Sequence, residues 1–486
     1  MKMNCDVKIG LEIHVQLTEL KTKLFCSCPS NYRGKTPNSV VCPVCLGLPG
    51  ALPVVNDRAI DFAVMIALAL KSKINREIVF YRKHYFYPDM SKNFQITQFE
   101  GGGGAPIAVG GELLFDWEGS SYRVRIRRIS LEEDPAKLTY PTGSIITSPY
   151  TLVDYNRSGI ALAEIVTEPD IRSPRMARVF LAKLRSIIEH LGVADLSLEG
   201  SMRVDANVSI KGHPRIEVKN IGSIKEVERA LAYEIVRQKE ALKKGLHVKM
   251  ETRHWDSTRG VTVPLRVKEE EQDYRYFPEP DLPPVIITDD RITRLKTLMP
   301  ELPEERAKRF VREYGVPDTE AIVIVSSKPL ADFFEEAVKY YRNPKRIANM
   351  LVNDVLRWLN ERDIEIEESK MKPQHLAELL ELVDEKTISI KIAKRILPKV
   401  IMEGISPREI VRREKVTVLS EEDYIAEIVE EVFKQNPKAV SDALREEKAI
   451  HFLVGQVMRV TRGRADPNLT IEIIKKRLQS LKGGVR

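Results

Sequence analysis

Three stretches of this sequence alternate apolar residues with ionisable ones. In Ile9-Gly-Leu-Glu-Ile-His-Val-Gln-Leu17 the odd positions are apolar, and Gly10, Glu12, His14 and Gln16 share the other side. Arg203-Val-Asp-Ala-Asn-Val-Ser-Ile210 sets Arg203, Asp205, Asn207 and Ser209 against Val204, Ala206, Val208 and Ile210, and Arg215-Ile-Glu-Val-Lys219 repeats the pattern. A period of two is a strand with one buried face, and side chains on one face follow one another at about 6.6–6.8 Å. Glu12 and His14 are therefore spaced to bracket one ion. Brought together, such faces would bind hard cations through carboxylate oxygen and cradle phosphates with Arg and Lys, the chemistry of a Mg-nucleotide site. The competing reading, usual for any one strand alone, is a solvated face laced with salt bridges. A fourth strand, Tyr122 to Glu132, turns Arg123, Arg125 and Arg127 outward and shifts phase near Arg128, which predicts a bulge. It ends in Leu131-Glu-Glu-Asp134, with Lys137 just beyond.

A second chemistry is written in cysteine. Cys26, Cys28, Cys42 and Cys45 form C-x-C-x13-C-x-x-C, two close pairs separated by a loop rich in Pro and Gly. Each pair can deliver two ligands from one turn, which is what a closed, structural tetrathiolate zinc site needs. The alternative is four reduced, unliganded thiols. Cys5 is left over and reads as a small buried residue.

The elements that must position these residues are legible in part. The first ~290 residues mix short strands with two amphipathic helices, and the remainder is helical and highly charged. Ser173-Pro174 opens one helix, whose apolar residues recur from Met176 to Leu191 until Gly192 stops it. Ser223-Ile-Lys-Glu226 reads as a capping box opening a second, which runs to Gly245. Asp281-Leu-Pro-Pro284 is a proline-rich exit to a helical segment, roughly 294–405, with Trp358 and its leucines as core. The last unit, about 406–486, carries a basic end: eight Lys and Arg against two acids from Gly455 onward. A basic tail suggests a polyanion partner, against the alternative of a solvated helix end.

Composition excludes several classes. With 486 residues, 43% apolar and 30% charged, the chain is long enough for more than one domain and is neither disordered nor collagenous. The longest apolar stretch, Phe62 to Leu70, is about half of the ~20 residues that span a bilayer. Asp6, Glu12 and His14 interrupt the region where a signal peptide needs apolar residues, so the chain reads as cytosolic. Gly34-Lys-Thr36 resembles the end of a P-loop, but position 29 is proline. Asp89-Met-Ser-Lys92 has no His-x-Gly-His partner, and neither H-E-x-x-H nor G-x-S-x-G occurs. No cysteine sits in a nucleophile-like setting.

The same residues carry a resemblance. With Lys83-His-Tyr-Phe-Tyr-Pro-Asp89, Gln95-Ile-Thr-Gln98, Asp154-Tyr-Asn-Arg-Ser-Gly159, Glu164-Ile-Val-Thr-Glu-Pro-Asp170, Ser201 to Asn207, Glu217-Val-Lys-Asn220, Asp273 to Pro280 and Phe452 to Met458, the chain resembles the B subunits of aspartyl/glutamyl-tRNA amidotransferases nearly end to end. The resemblance implies an α+β fold. A glutamine-synthetase-like cradle with an antiparallel sheet (1–293) would be followed by an all-α helical domain (294–405) and an all-α YqeY-like tail (406–486). It implies ATP- and Mg-dependent phosphorylation of Asp on tRNA(Asn) or Glu on tRNA(Gln), followed by amidation. The ammonia would come from a glutaminase A subunit, with a small C subunit completing a heterotrimer. Mapped by position, Glu12, His14, Glu132, Glu133 and Glu164 are the metal and catalytic candidates. Asp205 and Asn207 could hold a second ion. Arg203, Lys219 and Asn220 are expected at the nucleotide phosphates, and Lys83, His84 and Asp89 along an ammonia tunnel. Arg459, Arg462, Arg464, Lys475 and Lys476 are expected to meet the tRNA backbone.

Two rivals remain. The E-type subunit for Glu-tRNA(Gln) carries an extra domain of on the order of 100 residues, for which there is no room between Pro284 and the helical region. A non-enzymatic zinc-knuckle tRNA-binding protein would leave the charged strands merely solvated.

Overall fold

The computed structural model describes residues 7–101, 104–143, 148–211, 213–267, 273–414, 421–446, 449–461 and 465–483. Cys5 lies outside these residues.

Strand β1 (Val7–Gln16) is the centre of a ten-stranded sheet. With β2 (Ser120–Glu133), β3 (Ala161–Thr167), β4 (Met202–Ile210), β5 (Ile216–Ile221), β6 (Glu251–Asp256) and β7 (Val261–Val267), the order runs β7-β6-β5-β4-β1-β3-β2. Two short strands, Ala108–Val109 and Lys73–Ile74, extend it beyond β2, and Glu112–Trp117 hairpins onto β2. The expected antiparallel sheet needs one correction: β5 and β6 pair in parallel. Helix α3 (Ile224–Lys243) lies between them in the chain, and a strand–helix–strand crossover returns the second strand in the same direction. The β2–β3 register shifts between Val166 and Thr167, opposite Arg128 and Ile126, so the bulge falls at Arg127.

The apolar face of this sheet is covered by helices. Ile9, Leu11, Ile13, Val204, Ala206 and Val208 belong to one buried core with Leu184 and Ile188 of α2 (Pro174–Leu191) and Leu231 of α3. Ser173 caps α2 by accepting the Met176 N–H, and Gly192 ends it in the left-handed conformation that glycine adopts without a Cβ clash. Ser223 likewise caps α3, but the Glu226 carboxylate turns to Arg229 and the Trp255 indole, and the helix ends at Lys243. A third helix, α1 (Asp57–Ala69), is hidden in the sequence because Ala59 through Ala67 is buried on every side and shows no amphipathic period.

The chain divides into two compact units, 1–313 with 321–331, and 314–320 with 332–486. The second is helical. Leu351, Val355 and Leu359 form its buried ridge, whereas Trp358, expected in the core, is half-buried beneath the Arg362 guanidinium at 4.0 Å. Helices Glu421–Gln435, Pro437–Arg445, Ile450–Val460 and Pro467–Gly483 pack a separate core around Ile425, Val429, Leu453, Val457 and Ile474. Among the described residues, no helix is long and apolar enough to cross a membrane.

Candidate active site and metal centre

Pairing brings the ionisable faces together on the side of the sheet away from α2 and α3. His14 lies opposite Arg203 on β4 and Glu164 on β3, and Glu12 lies opposite Asp205. Glu12, His14 and Glu164 each offer a ligand atom within 4.8 Å of the others. His14 Nε2 is 3.5 Å from Glu12 and 3.3 Å from Glu132, while Thr97 Oγ1 donates to Glu132 at 3.1 Å. Lys219 Nζ is 2.8 Å from Asp205 and 3.3 Å from Glu217, and Arg128 is 3.2 Å from Glu164. Two adjoining cavities of about 230 and 240 Å³ share Glu12, Lys83, Glu132, Glu164 and Lys219 in their walls.

The electrostatics of this cluster call for a cation. Burial would lower the His14 pKa, but the Glu132 hydrogen bond and charge, with Glu12 and Glu164 behind them, raise it to about 9. Burial, then the neighbouring Glu132 charge, pushes Glu164 up against the pull of Arg128. Burial would raise Glu132 as well, but His14, Lys83 and Thr97 hold it low. In the metal-free cluster His14 and Glu164 hold protons that a cation would replace, while Glu132 stays ionised. Oxygen donors with one imidazole suit a hard divalent ion, so the residues fit Mg²⁺.

The remaining candidates separate. Glu133 does not share the face of Glu132, because successive strand residues point to opposite sides; it takes Lys92 Nζ at 2.6 Å and the Ile96 N–H at 2.9 Å. Arg203 reaches Asp134 at 2.8 Å, and Gln16 donates to the same carboxylate at 2.6 Å. Asn207 lies one pleat further along β4, opposite Gly10. The side chain of Asn220 lies outside the described residues. Lys83 is on a small sheet of Phe277–Pro278, Tyr81–His84 and Phe94–Thr97, with its ammonium over the Tyr274 ring at 5.0 Å. His84 instead stacks on Phe277, with its Nδ1 3.1 Å from the Arg275 carbonyl. Asp89 is half-buried, and burial raises its pKa; its Oδ1 has no hydrogen-bond partner among the described residues.

Sequence reasoning missed several residues lining the cavities: Thr97, Gln98, Tyr274, Tyr276 and, as a wall residue, Arg128. Gln98 Oε1 accepts the Ile107 and Leu131 N–H groups at 3.1 and 2.9 Å, and its amide nitrogen has no partner among the described residues. The period-two spacing of Gln95 with Thr97 and of Tyr274 with Tyr276 is the signal that could have found them.

The four cysteines also converge, their sulfurs all within 4.8 Å of one another. Cys28 and Cys45 Sγ are 4.0 Å apart, and the Cys42 N–H donates to Cys45 Sγ at 3.1 Å. A Cys26 hydrogen bond, outweighing burial and aided by the Cys42 N–H and Lys23, lowers Cys45 to about 4, while that same hydrogen bond pushes Cys26 up and burial pushes Cys28 up to about 12, so Cys45 is the thiolate of the metal-free cluster. Four thiol ligands of this kind fit a tetrahedral zinc ion. In the tail, Arg459, Lys475 and Lys476 are exposed, and Lys476 is 3.8 Å from Glu472; Arg462 and Arg464 lie outside the described residues.

Fold and site together define an α+β protein with an ionisable cavity on one sheet face, a separate four-cysteine cluster and a helical C-terminal region. The GatB/GatE catalytic domain model matches residues 7–293 and the GatB domain model residues 332–478. A Sulfurisphaera tokodaii protein, named as the B subunit of an aspartyl/glutamyl-tRNA(Asn/Gln) amidotransferase, is 57% identical over 470 residues, covering 97% of this chain and 99% of that protein. The proteins of the same name in Saccharolobus solfataricus and Thermotoga maritima are 54% and 52% identical, each over 97% of this chain and 99% and 98% of their own lengths. The chain belongs to this family, the B subunits of aspartyl/glutamyl-tRNA(Asn/Gln) amidotransferases.

Proposed function

We propose that this chain is the phosphorylating subunit of a cytoplasmic tRNA-dependent amidotransferase. The side-chain carboxylate of Asp on tRNA(Asn), or Glu on tRNA(Gln), attacks the γ-phosphorus of ATP; the bond to the bridging oxygen breaks and ADP leaves. Ammonia then attacks the acyl carbon, phosphate departs, and the amide remains. Ammonia is supplied by glutamine hydrolysis on an A subunit, with a C subunit completing the heterotrimer. The carrying observation is the convergence of Glu12, His14 and Glu164 beside Lys219 and Arg203, in a chain more than half identical to amidotransferase B subunits over almost its whole length.

Glu12, His14 and Glu164, with Glu132 adjoining, would hold Mg²⁺, which offsets phosphate charge during transfer. On this reading Asp205 and Asn207 hold a second ion. Arg203, Lys219 and Asn220 receive the phosphates, and Lys83, on the cavity wall, meets the incoming ammonia. Asp89 and His84 flank that route. The domains are a glutamine-synthetase-like cradle (1–293), a helical domain (294–405) and a YqeY-like tail (406–486). The test is ADP release by the chain combined with A and C subunits, glutamine present throughout, with and without misacylated tRNA. Release that needs the misacylated tRNA is expected; tight tRNA binding with no ATP turnover on either tRNA overturns the reading.

The basic tail approaches the tRNA backbone through phosphate contacts. Replacing Arg459, Lys475 and Lys476 with Gln is expected to raise the KM for tRNA and lower the log–log salt slope by about one for each phosphate no longer neutralised. Unchanged KM and slope in a salt titration of turnover would remove the tail from the interface.

A further inference from the structure

Lys23 has no exposed surface, and it is the only buried lysine among the described residues. Its ammonium donates to the Val40 carbonyl at 2.9 Å and lies 3.5 Å from the Tyr155 carbonyl and 3.6 Å from Cys45 Sγ. Among the described residues no carboxylate lies within ion-pair distance of it. A buried ammonium is costly unless an anion answers it. The cysteine cluster, through Cys45, is the only acidic group that touches this one among the described residues.

We propose that Lys23 is a built-in counter-cation for a divalent metal held by Cys26, Cys28, Cys42 and Cys45, a positioning residue that ties the two cysteine pairs together. A divalent ion on four thiolates leaves a buried dianion, and one ammonium beside it halves that charge. Metal binding would make all four sulfurs anionic around an ammonium that already lies 3.6 Å from one of them, so the arrangement suits the metal-bound state. Lys23 also holds both pairs by geometry. Its backbone N–H donates to the Cys28 carbonyl at 2.9 Å, while its side chain reaches Cys45 and the Val40 carbonyl two residues before Cys42.

The Asp154–Gly159 turn, whose sequence has no place in the ionisable cavity, completes this surround. Asn156 Oδ1 accepts the Val40 N–H at 2.7 Å, and Ser158 Oγ donates to the Cys45 carbonyl at 3.2 Å. At Gly159, with φ at +83°, a Cβ would lie 3.5 Å from both Cys45 Cβ and Lys23 Cδ, so the backbone passes close over the pair. Partners of this kind around metal ligands usually govern affinity by about 10–100-fold.

The proposal rests on the cluster binding metal, and the test separates the two. Zinc affinity of the full chain is measured by competition with a chromogenic chelator for the wild type, Lys23→Met and Lys23→Gln, alongside melting of the metal-free forms. Both variants are expected to bind zinc about 10–100-fold more weakly, with metal-free melting unchanged or higher. Equal zinc affinity with lower melting in both states would make Lys23 a packing residue and overturn the proposal. A wild-type chain that takes up no zinc removes the centre and the proposal with it. Should neither variant accumulate, the wild-type chain labelled with ¹⁵N-lysine decides. Loading with ¹¹³Cd is expected to shift one slowly exchanging ammonium signal, and no response from any lysine overturns the counter-cation.

Discussion

Glu132→Gln is expected to lower misacylated-tRNA-dependent ADP release by about 10–100-fold, the usual loss when the partner that holds a metal ligand is removed. Glu132 is 6% exposed, touches His14 and Thr97, and lines both cavities with Lys83. Glutamine keeps the shape and can still accept the Thr97 hydroxyl. It cannot supply the charge that raises His14 or that Lys83 faces, and it weakens the field that would hold the cation. Stability should change less than activity: the substitution deprives His14 of a partner but relieves the repulsion that pushes Glu164 up. The KM for tRNA should hold, since the proposed reading assigns the tRNA contacts to the tail, distant in sequence.

Glu133 is the informative contrast. One residue further along β2 it points away from the cavity and binds Lys92 and the Ile96 N–H. Glu133→Gln takes the anion from the largely covered Lys92 ammonium, so its loss is expected first in the unfolding free energy, by at most roughly 3–5 kcal/mol. Full ADP release by Glu132→Gln would show that the cavity is not where phosphoryl transfer occurs.

These neighbours also mark where sequence reading stops. The period of two in β1 and β4 locates Glu12, His14, Arg203 and Asp205 because one face has to be apolar. Carried through Leu131–Asp134, the same period parts Glu132 from Glu133, which motif matching alone groups together. Strand order is not legible at all: that β1 sits between β3 and β4, and so brings Glu164 to His14, depends on pairings between residues some 150 positions apart. The bulge at Arg127 is legible because it breaks the alternation. Helix α1 is not, since burial on every side erases the period. Lys23 reads as an ordinary surface lysine, and only three-dimensional packing reveals that nothing of it reaches water.

The second large effect is expected at Cys45. Cys45→Ser should reduce bound zinc well below the wild-type stoichiometry and open the loop that carries the cysteines. From Pro29 to Val44 no residue except the half-exposed neighbours of the cluster is held by an apolar core, and between β1 and α1 only the isolated Thr22–Pro29 bridge provides strand pairing. Hydrogen bonds of Arg33, Asn38 and Val40 tie this loop at a few points, but no apolar burial offsets its conformational entropy, and structural zinc in small peptide modules contributes about 10–16 kcal/mol of apparent binding energy, an upper bound for this larger domain. Serine cannot replace the lost thiolate, which is also the one that receives Lys23 and the Cys42 N–H. Limited proteolysis should therefore cut between Cys28 and Cys42 at least about tenfold faster, as local opening dominates cleavage in a weakly held segment. The damage should also spread toward the cavity. Arg33, within this loop, binds Gln16 and the Glu199 carbonyl, and Gln16 shares the Asp134 carboxylate with Arg203. Equal zinc content and equal cleavage rates in Cys45→Ser and the wild type would mean four idle thiols in a loop held by its hydrogen bonds alone.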